Sequence, residues 1–426
     1  GDAGAQIPAA TGPGLARVGP VDPIQGYPLW YEDRLGLRLQ LCQTPGVCLL
    51  AIPNPALPIS LPTNYPDEQF YYHVGTVALG AGGSLLSYQH SLEAAFLNGP
   101  VVPGDQVVFS RYRLRVTGLV HGATYSVTHP YGTANYIAGV DGVLPGTINV
   151  TVDVGIAAAG QFGLVLNGNV GPFLVPLNYV QGTPGSFVSD AVTEGPVRGS
   201  PFSTNYLRIA GPGIGTAFPA NAVAPDIAQW NNFAVQGQLA IASGVGINKA
   251  YISKHSTPGE TAVEVWASAV TGGNLQLSAP GSAPFPMQEI SSSGTYFGRV
   301  ILPAGSPAPT SISVTNLSDN PPVAVTRTNL TDVVVGQSAV FTAAGDLFVT
   351  AFSSDKVGNP VLSVSGIGIS PRALTSIGNG VASGSLGLPL GSAPPESVTI
   401  TSTLGGFASI PVMIEPIVPV TANAGP

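Results

Sequence analysis

Residues whose type and spacing could carry chemistry are few in this sequence, and three sets stand out. Arg111, Arg113 and Arg115 occupy alternate positions in SRYRLRVTG. Alternate side chains on a strand point to one face, so the spacing makes a row of guanidinium groups, with Tyr112, Leu114 and Val116 opposite. Such a row can bind an anionic ligand or form a subunit contact with acids on a partner. Asp67 with Glu68, and Glu32 with Asp33, are candidate partners within the chain. The plainer account is a solvated or edge strand whose like charges discourage unwanted pairing. His73, His90, His121 and His129 form the second set. Imidazole suits zinc and copper, but these four lack close ligand spacing, and His129-Pro130-Tyr131-Gly132 reads as a turn. They are read as structural or surface residues, and no metal is assigned. Cys42 and Cys48, in LCQTPGVCLL, form the third set. In an oxidising compartment they could close a small loop worth roughly 2 kcal/mol; the alternative is a pair of buried thiols. Neither lies in CxxC or CxxCH, so redox and haem-attachment chemistry are unsupported.

Local catalytic motifs are missing. The sequence has no G-x-S-x-G elbow, no G-x-x-x-x-G-K-[ST] phosphate loop, no H-E-x-x-H and no EF-hand loop. No catalytic residue or cofactor is assigned. Triads and glycosidase carboxylate pairs assemble in space, so a hydrolase stays open as a reading. Trp30, Trp230 and Trp266 could make a sugar-stacking platform, but one per domain is the pattern of core or interface anchors, and the core reading is preferred. Lys249, Lys254 and Lys356 could form isopeptide bonds, with no partner legible. Sequons stand at Asn149, Asn316 and Asn329 and matter only in a glycosylating host.

The elements that must position these residues are strands. Of 426 residues, 8% are charged, against roughly 25% in an ordinary soluble domain. The surface must therefore be Ser, Thr, Asn, Gln, Gly and Pro. A weakly charged surface favours lateral association, or else a secreted monomer with a neutral coat. The net charge of −8 comes without a basic patch, which argues against nucleic acid. No apolar run approaches the roughly 18 residues of a membrane span, and the absence of an initiator Met leads to the expectation of a removed signal segment.

Residues 1–20 read as an extended tail, as do 416–426, and each is expected to dock on a neighbouring subunit. An N-terminal β domain is expected over 21–225, of sandwich or jelly-roll type. Within it, Leu35, Leu37, Leu39 and Leu41 alternate as a half-buried strand, and the proline-rich residues 51–67 should run extended. One short helix is expected over 85–97, where Leu92, Ala95 and Phe96 share a helical face before Asn98-Gly99-Pro100. Strands are expected over 106–119, 124–128, 147–154, 162–166 and 206–210, and a linker over 211–224.

Residues 294–316, GTYFGRVILPAGSPAPTSISVTN, recur without a gap at 380–402 as GVASGSLGLPLGSAPPESVTITS. Gly294/Gly380, Gly298/Gly384, Leu302/Leu388 and Pro303/Pro389 are among the identities. Alternating strands precede both copies: Val263, Val265 and Ala267, then Leu347, Val349 and Ala351. This makes two tandem sandwich-sized modules, at 232–318 and 321–415. The stretch LFVTAFSSDKVGNPVLSVSG with ESVTITSTLGG resembles the immunoglobulin-like modules found in tandem at the C-terminal ends of secreted and surface bacterial proteins. GPVDPIQGYPLWYEDRLGLRLQLC is similar to the opening of uncharacterised bacterial extracellular proteins that carry such modules. The resemblance implies a fold and an extracellular or cell-surface location, and carries over no functional residue.

Taken together these features imply an all-β protein that is the structural subunit of an extracellular filament, sheath or surface layer, with copies of itself as partners. The alternatives are a secreted adhesin or carbohydrate-binding protein, which would engage polysaccharide or a cell surface, and a secreted hydrolase with its site in the N-terminal domain.

Overall fold

The structure, a computed structural model, describes residues 12–257, 259–366, 368, 370–388 and 393–415. The expected tail at 416–426 and residues 1–11 of the other lie outside the described residues. The chain is nearly all-β and divides into two compact units between Gly244 and Val245.

In the first unit a ten-stranded sheet runs, in spatial order, Leu15–Val18, Tyr31–Asp33, Arg38–Gln40, Asn232–Leu239, Glu68–Leu79, Leu85–Phe96, Gln106–Val116 and Ile148–Val154, with two short strands off this path. A five-stranded sheet contains Thr124–His129, Gly132–Ile137 and Leu207–Ala210. Leu86, Tyr88 and Leu92 from the first sheet share one apolar core with Tyr125, Val127 and Ile209 from the second. Burial of apolar area from both sheets is what holds the layers together.

Several expectations need correction. Residues 85–97 form a strand, not a helix. Leu86, Tyr88, His90, Leu92, Ala94 and Phe96 are all buried, a period of two, and the strand is laddered to neighbours on both edges. Tertiary pairing overrides the helical grouping of three apolar residues. Residues 162–166 lead into a 3-10 turn at Leu164–Asn167. The presumed linker belongs to the first unit: Ile214 and Phe218 are buried there, and Ile214–Ala217 is one turn of helix. Asn232–Leu239 pairs with Glu68–Leu79, so residues expected to open the second domain complete the first. Leu15–Val18 pairs with Tyr31–Asp33 and buries Leu15, so this part of the supposed tail is an edge strand. Of the alternating leucines, Leu37, Leu39 and Leu41 are buried but Leu35 is 70% exposed, because it sits in the turn that closes on Asp33. Cys42 and Cys48 are joined in a disulfide.

The second unit holds two successive two-sheet sandwiches. In the first, Val263, Val265 and Ala267 of one sheet pack with Leu275, Leu277, Ile312 and Val314 of the other. In the second, Leu347, Val349 and Ala351 pack with Leu362, Val364, Val398 and Ile400. The alternating positions noted in the sequence are thus the two cores. Backbone bonds cross the junction between the sandwiches, from Ile252 N–H to Thr331 O (2.8 Å) and from Lys254 N–H to Ser354 O (3.0 Å). The Lys254 ammonium lies 2.9 Å from the buried Asp355 carboxylate.

The recurring glycines also have a shared cause. Gly294 and Gly380 have φ of +73° and +76°, and a Cβ on them would stand 2.6 Å from Ala269 O and 2.5 Å from Ser353 O. The carbonyls of Gly294 and Gly380 in turn accept N–H bonds from the strand across, from Ala269 at 3.0 Å and Ser353 at 2.8 Å. Glycine is needed for both the conformation and the close approach. Gly294→Ala and Gly380→Ala are expected to lower the unfolding free energy of the second unit by about 1–3 kcal/mol each. Urea denaturation measures this, with Gly387→Ala, whose nearest neighbour would be 3.7 Å away, as a control that does not destabilise.

Candidate functional site

The arginine row lies on the face of the large sheet turned away from the core. Strand register aligns Ser87 with Arg115 and Asn149, Gln89 with Arg113 and Thr151, and Ser91 with Arg111 and Asp153. The three arginines are not equivalent. Arg111 grips Asp153 through two parallel bonds of 2.8 and 2.9 Å and lies 3.1 Å from Glu93 and 3.6 Å from Glu68. Glu93 is fully buried and accepts hydrogen bonds from Ser91 Oγ (2.5 Å) and Gln89 Nε2 (3.0 Å). Burial pushes its carboxyl up to about 7; Ser91 and Arg111 pull it down, and the Glu68 charge pushes it further up. Arg113 and Arg115 meet only neutral oxygens, Thr151 Oγ1 at 3.4 Å and Asn149 Oδ1 at 3.3 Å. Burial, then the guanidinium groups on either side, depress Arg113. The face therefore presents two guanidinium groups without an acidic partner among the described residues, beside a closed ion network.

Of the acids named from sequence, only Glu68 reaches the row. Glu32 pairs with Arg17 (2.8 Å) and Arg38 (2.5 Å), and Asp33 accepts N–H bonds from Leu35, Leu37 and Phe173. The partners missed were Asp153 and Glu93, each set beside Arg111 by strand pairing.

The structure brings two of the four histidines together. His90 and His129 lie in the core with ring centroids 4.8 Å apart, packed against Tyr112 at 4.9 and 4.7 Å. His90 Nδ1 is 2.8 Å from Tyr88 Oη, while His129 Nδ1 accepts the Tyr131 N–H at 3.2 Å. Burial pushes His129 down to about 4 and His90 well below its ordinary value. His73 projects from the opposite face of the sheet, against Phe70, and His121 is exposed. Among the described residues, His, Cys, Asp and Glu side chains do not gather in threes as a metal site, and no helix is long and apolar enough to cross a membrane.

The tryptophans divide. Trp30 and Trp230 are 2% and 4% exposed, as core residues. Trp266 departs from the core reading: Val265 and Ala267 point inward, so Trp266 faces outward, half-exposed. Tyr251 and Phe297 flank it at 6.1 and 4.7 Å between centroids. In the second sandwich the outward face of the equivalent sheet carries no charge in its central rows. Register aligns Val335 with Phe352 and Val381, Ser338 with Thr350 and Ser383, and Met413 with Val340, Phe348 and Ser385.

No family model matches this chain, and no curated protein matches it. Among solved structures, one described as bearing on host cell surface retention of a 1.5-MDa bacterial ice-binding adhesin aligns over 72% of this chain and 91% of that one. The identity is 12% and the TM-score 0.15, a superposition that carries no argument for fold or function. What stands of the immunoglobulin-like resemblance is the pair of two-sheet sandwiches.

The buried ionisable groups set a pH dependence. His90 and His129 stay neutral in the fold but take up protons when unfolded near the ordinary value of 6.5, so their contribution is lost as pH falls from about 6.5 towards 4. Glu93 has the opposite sign: its folded carboxyl keeps a proton between 4.5 and about 7 that the unfolded one releases, which costs stability as pH rises through that window. Burial also pushes His73 down to about 4 and raises Asp33 in the same sense as Glu93, so three histidines stand against two acids and the first unit is expected to weaken below pH 6.5. Urea unfolding at a series of pH values measures it: His129→Gln makes the acid loss shallower, and Glu93→Gln makes it steeper.

Proposed function

We propose that this chain is an extracellular structural protein, the subunit of a filament, sheath or surface layer assembled from copies of itself. The observation that carries the reading is the uncharged outward face of the second sandwich. Phe348 is 43% exposed, Met413 63% and Val335 38%, and Ser338, Thr350 and Ser383 lie between them in register. Exposed apolar side chains grouped on one sheet face mark an association surface more than isolated ones do. A surface with few charges offers little electrostatic repulsion between copies. The disulfide supports an oxidising location.

A second reading, a surface protein that binds carbohydrate, is favoured by the partly exposed cluster of Tyr251, Trp266 and Phe297. Aromatic rings on an outward sheet face offer apolar area with polar edges, which suits the alternating C–H and hydroxyl surfaces of a sugar.

Self-assembly is tested by light scattering over a concentration series, with electron microscopy of the species formed. The wild type is expected to assemble, and Phe348→Asp, which places an unpaired charge in the contact, to raise the concentration required by about tenfold or more while keeping its circular dichroism. Deleting residues 1–11 in the same assay measures the contribution of the N-terminal tail. A wild type that stays monomeric throughout overturns the reading.

A further inference from the structure

We propose that the outward face of the first sandwich in the second unit is a binding site for an acidic sugar, a uronate residue of a polysaccharide, with Trp266 as the stacking surface and Lys249 as the counter-charge. This rests on the carbohydrate reading above and does not depend on self-assembly. Register places Lys249, Trp266 and Phe297 in one row across three strands, and Tyr251, Glu264 and Arg299 in the next. Neighbouring strands stand about 4.8 Å apart, so a row of three spans about 10 Å, roughly the length of two pyranose rings.

The two rows divide the chemistry. Trp266, held between Tyr251 and Phe297, offers apolar ring surface to the C–H groups of a sugar. Arg299 Nε pairs with Glu264 Oε1 at 3.3 Å, and Ser253 Oγ donates to Glu264 Oε2 at 3.2 Å. Those contacts leave the terminal guanidinium N–H groups and further carboxylate lone pairs for hydroxyls. Lys249 is exposed and has no acidic partner among the described residues, although the chain carries 22 acidic and 14 basic residues. An unpaired cation beside an aromatic row, on a chain with excess negative charge, is complementary to a carboxylate. A neutral sugar would leave it unused.

The full chain would be titrated with oligomers of polygalacturonate, alginate and hyaluronate, and with dextran as the neutral sugar, following tryptophan fluorescence. Trp30 and Trp230 are buried, so Trp266 reports on this face. At least one acidic oligomer should give a saturable change that weakens with added salt. Trp266→Ala should abolish it. Lys249→Gln should weaken acidic binding about tenfold, the loss expected for one charge-assisted contact. Thermal melts that match wild type show the variants are folded, and Trp266→Phe should retain part of the affinity. Equal binding of dextran, unchanged by Lys249→Gln, overturns the acidic-sugar inference and leaves the carbohydrate reading intact. No binding of any oligomer overturns both. Loss of self-association in Trp266→Ala, with no sugar bound by wild type, would show that a second copy covers this face and also overturns the proposal.

Discussion

The pairing of Leu85–Phe96 on both its edges is the interaction on which the first unit depends. Its neighbours Glu68–Leu79 and Gln106–Val116 are fixed in register against it, and the strand period of two then sends alternate residues to opposite faces. Leu86, Tyr88, His90 and Leu92 go to the core, while Gln89, Ser91 and Glu93 meet Arg111 and Arg113 on the far side. A slip of one residue would exchange the two sets. The buried Glu93 is tolerable only in this register, where Ser91 and Gln89 donate to one oxygen and the Arg111 guanidinium lies 3.1 Å from the other; a carboxylate buried without such partners would cost several kcal/mol.

The second unit solves one packing problem twice. In each sandwich a glycine in a left-handed conformation brings the strand that follows it against the preceding carbonyl, and a second glycine makes room for a neighbour. A Cβ on Gly298 would stand 3.0 Å from Met287, and one on Gly384 3.3 Å from Leu374. These glycines shared by the two copies are therefore positions where backbone conformation or close approach favours glycine, while the outward residues differ. One copy carries Tyr251, Trp266 and Phe297 there, the other Phe348, Val335 and Met413. Shared inward constraints leave the outward positions of the two modules free to differ.

The scarcity of charge shapes all three faces. Where cations and acids do occur they are gathered: Arg111 with Glu68, Glu93 and Asp153, Lys254 with Asp355, Arg299 with Glu264. The guanidinium groups of Arg113 and Arg115 and the ammonium of Lys249 stand apart from this pairing. On a mostly neutral surface such groups are local features with little competition from neighbouring charge, and screening by salt is the main limit on their reach.

Period-two alternation and turn glycines were enough, from the sequence alone, to establish an all-β chain, two repeated modules and the inward residues of both. Val263, Val265, Leu347 and Val349 could be named because strand geometry sends alternate side chains to one side whatever the neighbouring strand is. The direction of the arginine row was legible for the same reason. Which neighbour each strand meets was decided only by the tertiary structure. The last strand of the first unit pairs Ala234 with Gly75, far back in the chain, Asp153 and Glu93 reach Arg111 only through pairing, and residues 85–96 read as a helix from three apolar residues at helical spacing, although ladders to the strands just before and just after them make a strand. Hydrophobicity alone predicts that Trp266 is a core residue, whereas the register of its strand turns it outward. Side-chain alternation is a local property of the backbone, but partners, burial and exposure depend on contacts that close only when distant segments meet.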